Sequence, residues 1–343
     1  MRRIGEIFLF LLLAGALLMS VFLYGSRKRQ VTEEAPKKEA PAITVYTNWP
    51  QGMVSVLAPA FTEETGIYVR VVDMSGEEMK KEAAGGNPAD LYLASQKVLM
   101  DLADAGKTAA YTSGATDTVL DEFKEKDGFW TGLFVNPVVF AVNLEFAEKN
   151  PDFIYSWNDV LQRKSVRISL LDFPATEFSA DSLMSLVEHY GTEEAYRLLG
   201  EAAPHVVQYG EYLSTPAQMA AMDKCDIGIS GYVEAAGLLA EKMPIRIFYP
   251  EEGTWYFFYG AALDKNAGKE AKVFLEWLLT NGAEEEKLLA SGFGYLNVNA
   301  RKLPEDAAGH RLHVWHLEKR YTEGGKNGLL EQWVREIRFG ERE

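Results

Sequence analysis

The chain is 343 residues long, 47% hydrophobic and 25% charged, with 50 Asp and Glu against 35 Lys and Arg for a net charge of −15. Length alone implies about two domains, and the composition is that of a folded, water-facing protein. The acidic balance argues against a nucleic-acid partner, which needs a basic footprint, and the single cysteine, Cys225, excludes an internal disulfide framework and a Cys-built zinc cluster.

Residues Ile7 to Gly25 form a run of 19 without charge. At ~1.5 Å per residue this crosses most of a ~30 Å hydrocarbon core. A cleaved secretory signal has a shorter apolar stretch and small residues before the cut. Ala14-Gly15-Ala16 fits such a cut, but cleavage there leaves an apolar new end, and no lipoprotein cysteine follows. The pattern favours residues 1–26 as an uncleaved membrane anchor over a signal peptide. Arg27 to Ala42 has no aromatic residue and only Val31 as a large apolar one, so 27–42 is expected to be a disordered tether. Residues 1–41 hold seven Lys/Arg and four Glu, which leaves −18 on the other 302, a charge suited to a soluble domain held near a membrane.

Beyond the tether, strands and helices alternate. Ile43–Tyr46 reads as a strand and Met53–Thr65 as a helix with Gly66 as its C-cap. Tyr68–Val72, Glu77–Ala84, Asp90–Ala94 and Gln96–Ala105 continue as strand, helix, strand, helix. This spacing means βαβ units and a mostly parallel sheet, whose ligands sit beyond the carboxyl ends of the strands. Those ends carry Asn48 and Trp49, Ser75, and Ser95. Leu133–Asn143 is a long extended run broken by Pro137, which argues for an edge or for a crossing between two sheets.

A second series follows, with strands at Val166–Leu171, His205–Tyr209 and Ile227–Ser230 and helices at Phe178–Tyr190, Thr192–Ala202 and Thr215–Asp223. Ile245–Leu263 is again extended and aromatic, and Lys269–Thr280 and Ala283–Ala290 are helical. The expected organisation is a first lobe begun by 43–136, a second lobe at 137–250, and a return at 251–343 that completes the first lobe and adds C-terminal helices. His310, His313 and His316 are interleaved with Leu312, Val314, Trp315 and Leu317, which predicts an amphipathic tail helix rather than a metal site. Cys225 is expected to be a small core residue. Glu284-Glu285-Glu286 reads as the acidic first turn of a helix.

The order of these segments resembles the extracytoplasmic solute-binding proteins of ABC importers, in particular the type II periplasmic-binding-protein family that includes the iron(III)-binding proteins. The opening ITVYTNWP…LAPAFTEETGIYVRVV is similar to that family's first strand, helix and second strand. NPADLYLAS resembles its P-A-D-V strand and MAAMDKCDIGIS its G-E-V-D-I-G strand. GKEAKVFLEWLLTNGAEEEKLLASGFGYLNVN resembles its late helix and G-Y-x-P-V segment, and the likeness spans residues 43–299. The resemblance implies an α/β, two-lobed type II periplasmic-binding-protein fold, each lobe a mostly parallel sheet flanked by helices, joined by two extended hinge crossings. It also implies a domain outside the cytoplasm that closes on a small-molecule solute and presents it to an ABC importer permease. A membrane-tethered solute sensor with the same fold is the alternative. No G-x-S-x-G elbow, P-loop, H-E-x-x-H or dinucleotide fingerprint is present, so no enzyme and no cofactor is expected.

The ferric members of the family hold metal with a His, a Glu and a Tyr pair. Here the corresponding places fall near Trp49 or Pro50, at Ser95, and at Tyr232 alone. Ferric iron wants several anionic oxygens, so iron remains the alternative ligand, and an oxyanion or small organic solute is expected instead. Its candidate donors are Asn48, Ser75, Ser95, Thr176, Ser179 and Ser230, with Trp49, Tyr232, Trp255 and Tyr256 as flat walls. Helix N-termini with Ser or Thr suit phosphate, phosphonate or carboxylate. Glu177, Glu234, Glu251 and Glu252 suit a cationic amine among aromatics equally well. Thr176 and Ser179 also read as plain helix caps, and Trp49 as a residue that simply closes the core.

Overall fold

Short β-branched runs with helices between them build the first lobe. In the computed structural model, which describes residues 41–280, 288, 291–298, 303–315 and 321–340, these are β1 (Ala42–Thr47), α1 (Gln51–Thr65), β2 (Tyr68–Asp73), α2 (Gly76–Ala84), β3 (Leu91–Ser95) and α3 (Gln96–Asp104). The anchor at 1–26, the tether at 27–42 except its last two residues, and the helix expected at 283–290 except Leu288 lie outside the described residues. No helix among the described residues is long and apolar enough to cross a membrane.

β1 pairs in parallel with β2 and β3. Helix α1 ends where Gly66 turns left-handed at φ 71°, its N–H donating to the Thr62 carbonyl at 2.9 Å. A residue with a Cβ resists that conformation. Phe61 on α1 packs against Phe274 of α10 (Lys269–Thr280), ring centroids 4.5 Å apart. The two segments, far apart in sequence, share one core.

β4 (Thr131–Asn143) is buried along its whole length and belongs to both lobes. Its first half pairs antiparallel with β9 (Tyr256–Leu263) as far as Pro137. From Val138 onward it pairs with β7 (Ile227–Gly231) and, from Phe140, with β8 (Ile245–Phe248). Pro137 thus stands where the strand changes sheets, and a missing N–H costs least there. The next donor, Val138 N–H, reaches back to the Trp255 carbonyl at 2.9 Å. The run Ile245–Leu263, expected as one extended crossing, is two strands with a turn around Pro250 and Gly253 between them.

The second lobe contains α4 (Leu144–Lys149), α5 (Trp157–Gln162), β5 (Ile168–Leu171), α6 (Glu177–Tyr190), α7 (Thr192–Ala202), β6 (Val206–Gly210), α8 (Thr215–Ala221) and α9 (Tyr232–Ala240), with strands in the order β6-β5-β7-β4. β5 is parallel to β6 and β7. After α10 a short β10 (Leu296–Asn297) pairs with β4, and α11 (Glu323–Trp333) closes the described chain with one π-helical turn, Val334–Arg338.

Two C-terminal features depart from the sequence reading. Residues 251–343 do not all return to the first lobe. Leu329, Leu330, Trp333, Val334 and Ile337 form an apolar stripe at helical spacing that packs into the second lobe's core. Nor is His310–Trp315 a helix. Thr254 N–H donates to the His313 carbonyl at 3.1 Å and Trp315 N–H to the Thr254 carbonyl at 2.8 Å. Pairing with the returning hinge segment therefore outcompetes the local amphipathic pattern, while His316 lies outside the described residues.

Candidate functional site

The carboxyl ends of β1, β3, β5 and β7 all lead into helices or turns at one side of the sheets, where α/β folds place their ligands. A cavity of about 310 Å³ opens there, at the small end of the range for small-molecule sites. The first lobe contributes Ser95, Gln96, Lys97 and Met100 from the end of β3 and from α3. The second lobe contributes Glu177, Asp181 and Met184 from α6, and the hinge contributes Trp255, Tyr256 and Phe257. The C-terminal return adds Trp315, Tyr321 and Lys326. The walls therefore come from both lobes and from the strand that joins them.

Of the residues singled out in the sequence, Ser95, Glu177, Trp255 and Tyr256 line this cavity. Ser95 is fixed by Asn48, whose side-chain carbonyl accepts the Ser95 N–H at 3.0 Å. Trp255 is held edge-on by Phe178, ring centroids 4.7 Å apart. Thr176 and Ser179 spend their hydroxyls on each other's backbone in a capping box at the start of α6. They aim the helix that carries Glu177 and Asp181 rather than facing the cavity themselves. Tyr232, the first residue of α9, is half-buried and packs against the core of each lobe.

Three candidates are engaged elsewhere. Ser75 is exposed and caps α2 in a box with Glu78. Ser230 is fully buried, its hydroxyl donating to the Leu213 carbonyl at 2.9 Å inside the second lobe. Trp49 is 2% exposed and belongs to the first lobe's core, its Nε1 donating to the Ala94 carbonyl at 3.4 Å. Cys225 is buried and unpaired, and burial pushes its thiol up to about 12, leaving it inert.

The charges on the walls are largely spoken for. Asp181 pairs with Lys326, and Asp101 with Lys80 at 3.0 Å. Burial pushes the Asp181 carboxyl above its ordinary value, and Lys326 pulls it back. Among the described residues Lys97 and Glu177 have no ion-pair partner. Deeper, at the hinge, Asn136 of β4 accepts the Val233 N–H at 3.0 Å and holds Glu234 of α9 at 3.4 Å. Burial raises the Glu234 carboxyl, against hydrogen bonds from its own backbone N–H and from Asn136. Among the described residues no group of three or more His, Cys, Asp or Glu is arranged to hold a metal ion.

The sequence reading missed Gln96, Lys97, Asp181, Phe257, Trp315, Tyr321 and Lys326. Gln96 and Lys97 follow Ser95 directly, and Asp181 stands one helical turn beyond Glu177, so a stricter use of helix geometry would have included them. Trp315, Tyr321 and Lys326 carry no local signal. Trp315 reaches the cavity through its pairing with Thr254 and its ring contact with His189, and Lys326 because the C-terminal stripe docks on the second lobe.

The profile of the family described as bacterial extracellular solute-binding protein matches residues 43–293. An uncharacterised protein of Haemophilus influenzae is 24% identical over 317 residues, covering 87% of this chain and 91% of its own. Among solved structures, the periplasmic binding protein AfuA of Actinobacillus pleuropneumoniae, with fructose-6-phosphate bound, superposes with a TM-score of 0.61 at 20% identity, covering 87% of this chain and 99% of AfuA. Ferric iron-binding protein A of Mannheimia haemolytica, in an open conformation, gives 0.66 at 17% identity over 88% of this chain and 100% of its own.

Proposed function

Since the chain belongs to the bacterial extracellular solute-binding protein family, we propose that it captures a small solute in the interlobe cavity and delivers it to the membrane permease of an ABC importer. The observation that carries this reading is the composition of the cavity wall: α3 from one lobe, α6 from the other, and Trp255 to Phe257 from the strand between them. A solute touching both walls binds the closed arrangement better than the open one. It shifts the hinge equilibrium by that difference in affinity. β4 and β9 are well placed to absorb the motion, because each lobe keeps its own core while the two strands pass between them.

The test is thermal unfolding of the full-length chain in mild detergent against ferric citrate, phosphorylated compounds, sugars, carboxylates and polyamines. A ligand at about 100 times its dissociation constant adds about 2.7 kcal/mol of stability, and at least one solute class is expected to do so. A panel that leaves the melting temperature unmoved sinks the reading. A visible colour with iron would make ferric ion the cargo.

In the same reading, residues 7–25 tether the domain outside the cytoplasm. The protein is then expected to remain with membranes after a high-salt wash, detected by immunoblot of pellet and supernatant. A shortened, soluble product would replace the anchor with a cleaved signal.

A further inference from the structure

On the cavity wall the rings of Phe257, Trp315 and Tyr321 are only half-buried. Apolar faces left open to water inside a concavity favour a ligand that covers them. Trp315 is also held still. His189 stacks on it with ring centroids 4.0 Å apart and planes 8° from parallel. Tyr190 meets it edge-on at 5.8 Å, and its Nε1 donates to the Glu252 carbonyl at 2.9 Å. A wall fixed before the ligand arrives loses little entropy on binding. Met100 of α3 and Met184 of α6 add a thioether from each lobe, a group that makes favourable contacts with aromatic rings.

Hydrogen-bond donors stand free on the first-lobe and hinge walls. Trp255 is 5% exposed, and its Nε1–H has no acceptor among the described residues. Ser95 is 9% exposed. Its Oγ takes one long contact from Asn48 Nδ2 at 3.5 Å, and its own O–H reaches no acceptor among the described residues. A donor buried without an acceptor costs free energy that a ligand's acceptor would restore. Lys97, exposed beside them, has no carboxylate within ion-pairing distance among the described residues. The other charges are mostly occupied, Asp181 by Lys326 and Asp101 by Lys80. Glu177, an unpaired acid, is exposed on the second-lobe side. Few groups are left to serve the many hydroxyls of a sugar.

Resting on the reading of this cavity as the solute site, we propose that the solute is a small aromatic carboxylate, its ring packed against Trp315, Phe257 and Tyr321 and its acidic group held by Lys97, the Ser95 hydroxyl and the Trp255 N–H. Ring-on-ring contact adds to the gain from buried area. A carboxylate accepts charge-assisted hydrogen bonds, about twice as strong as neutral ones. Trp315 and Tyr321 pack against the second lobe's core, whereas Ser95 and Lys97 belong to the first lobe. The two ends of such a solute therefore engage different lobes, which is the condition for driving closure.

The test measures affinities on the full-length protein in detergent by calorimetry. Benzoate and naphthoate are each compared with a saturated acid (cyclohexanecarboxylate, decahydronaphthoate) and with a neutral alcohol (benzyl alcohol, naphthylmethanol). At least one aromatic acid is expected to bind tenfold or more tighter than both of its counterparts. Lys97→Gln, a change at an exposed side chain, should abolish the preference for acid over alcohol while keeping the apo melting temperature and the preference for the flat ring. Trp315→Leu keeps an apolar side chain but removes the flat face, and should abolish the ring preference. Its apo melting temperature is measured alongside, because Trp315 also anchors the C-terminal return. Saturated acids that bind as well as aromatic ones, alcohols that bind as well as acids, or an acid preference that survives Lys97→Gln overturn the proposal. So does a protein that ignores every aromatic acid but is stabilised by ferric citrate, a sugar or a polyamine, which leaves solute binding intact. A protein stabilised by no solute at all overturns the underlying reading with it.

Discussion

Trp49→Ala is expected to cost the unliganded protein about 3–5 kcal/mol of unfolding free energy, the range for removing a large aromatic from a packed core. On sequence, Trp49 offers itself as a cleft wall whose loss weakens binding and leaves stability alone. The structure assigns the loss to the core. The ring is 2% exposed and packs edge-on to Phe134 at 5.7 Å and against Tyr259 at 6.0 Å. Its Nε1 hydrogen bond to Ala94 ties the end of β1 to the end of β3. Alanine forfeits the buried area, leaves a cavity, and removes the indole donor to the Ala94 carbonyl. Equilibrium urea unfolding of the apo protein reads the effect as a lowered midpoint with an unchanged slope. A loss below about 1 kcal/mol would be the value of a partly exposed side chain rather than a core one. Binding should weaken as well, since Ser95 of the cavity wall directly follows Ala94, but only as a consequence.

How much of this was legible in the sequence depends on how local each signal is. Pro137 could be read as a crossing because a residue without an N–H has few places in a buried strand, and the strand changes sheets there. The first six elements followed from β-branched runs, helix periodicity and the Gly66 stop, all short-range features. The hydroxyl donors were harder. Ser75, Thr176 and Ser179 occur where ligand donors and helix caps look alike, and the structure puts all three in capping boxes. For Ser230 the deciding partner is the Leu213 carbonyl, 17 residues away, a contact no local pattern encodes. His310–Trp315 shows the reverse failure. Its amphipathic spacing was real, but Thr254 claims its backbone.

Trp333→Ala should release the C-terminal helix, with a loss of about 3–5 kcal/mol felt in the second lobe. Helix α11 cannot stand alone. It is 11 residues long, below the ~12–15 at which isolated helices become even marginal. It also contains Gly324, Gly325 and Gly328, each about 1 kcal/mol worse than alanine in a helix. Its order comes from docking, and Trp333 is the anchor. The ring is fully buried, with Phe173 at 5.0 Å and Tyr209 at 5.5 Å. Arg338 adds a part-buried contact to Asp172 at 3.3 Å and lies 4.5 Å over the Tyr209 ring, but one ion pair still open to water is worth too little to replace the indole. Undocking withdraws Lys326 from the cavity wall and leaves Asp181 without its partner, so solute affinity should fall tenfold or more along with stability. Hydrogen exchange locates the change: amides of 323–338 lose protection while those of β1 and β3 keep theirs. Trp333→Phe, which refills most of the site, should restore both protection and binding. Unchanged exchange in α11 after Trp333→Ala would mean that the helix, and Lys326 with it, is held by something other than this core.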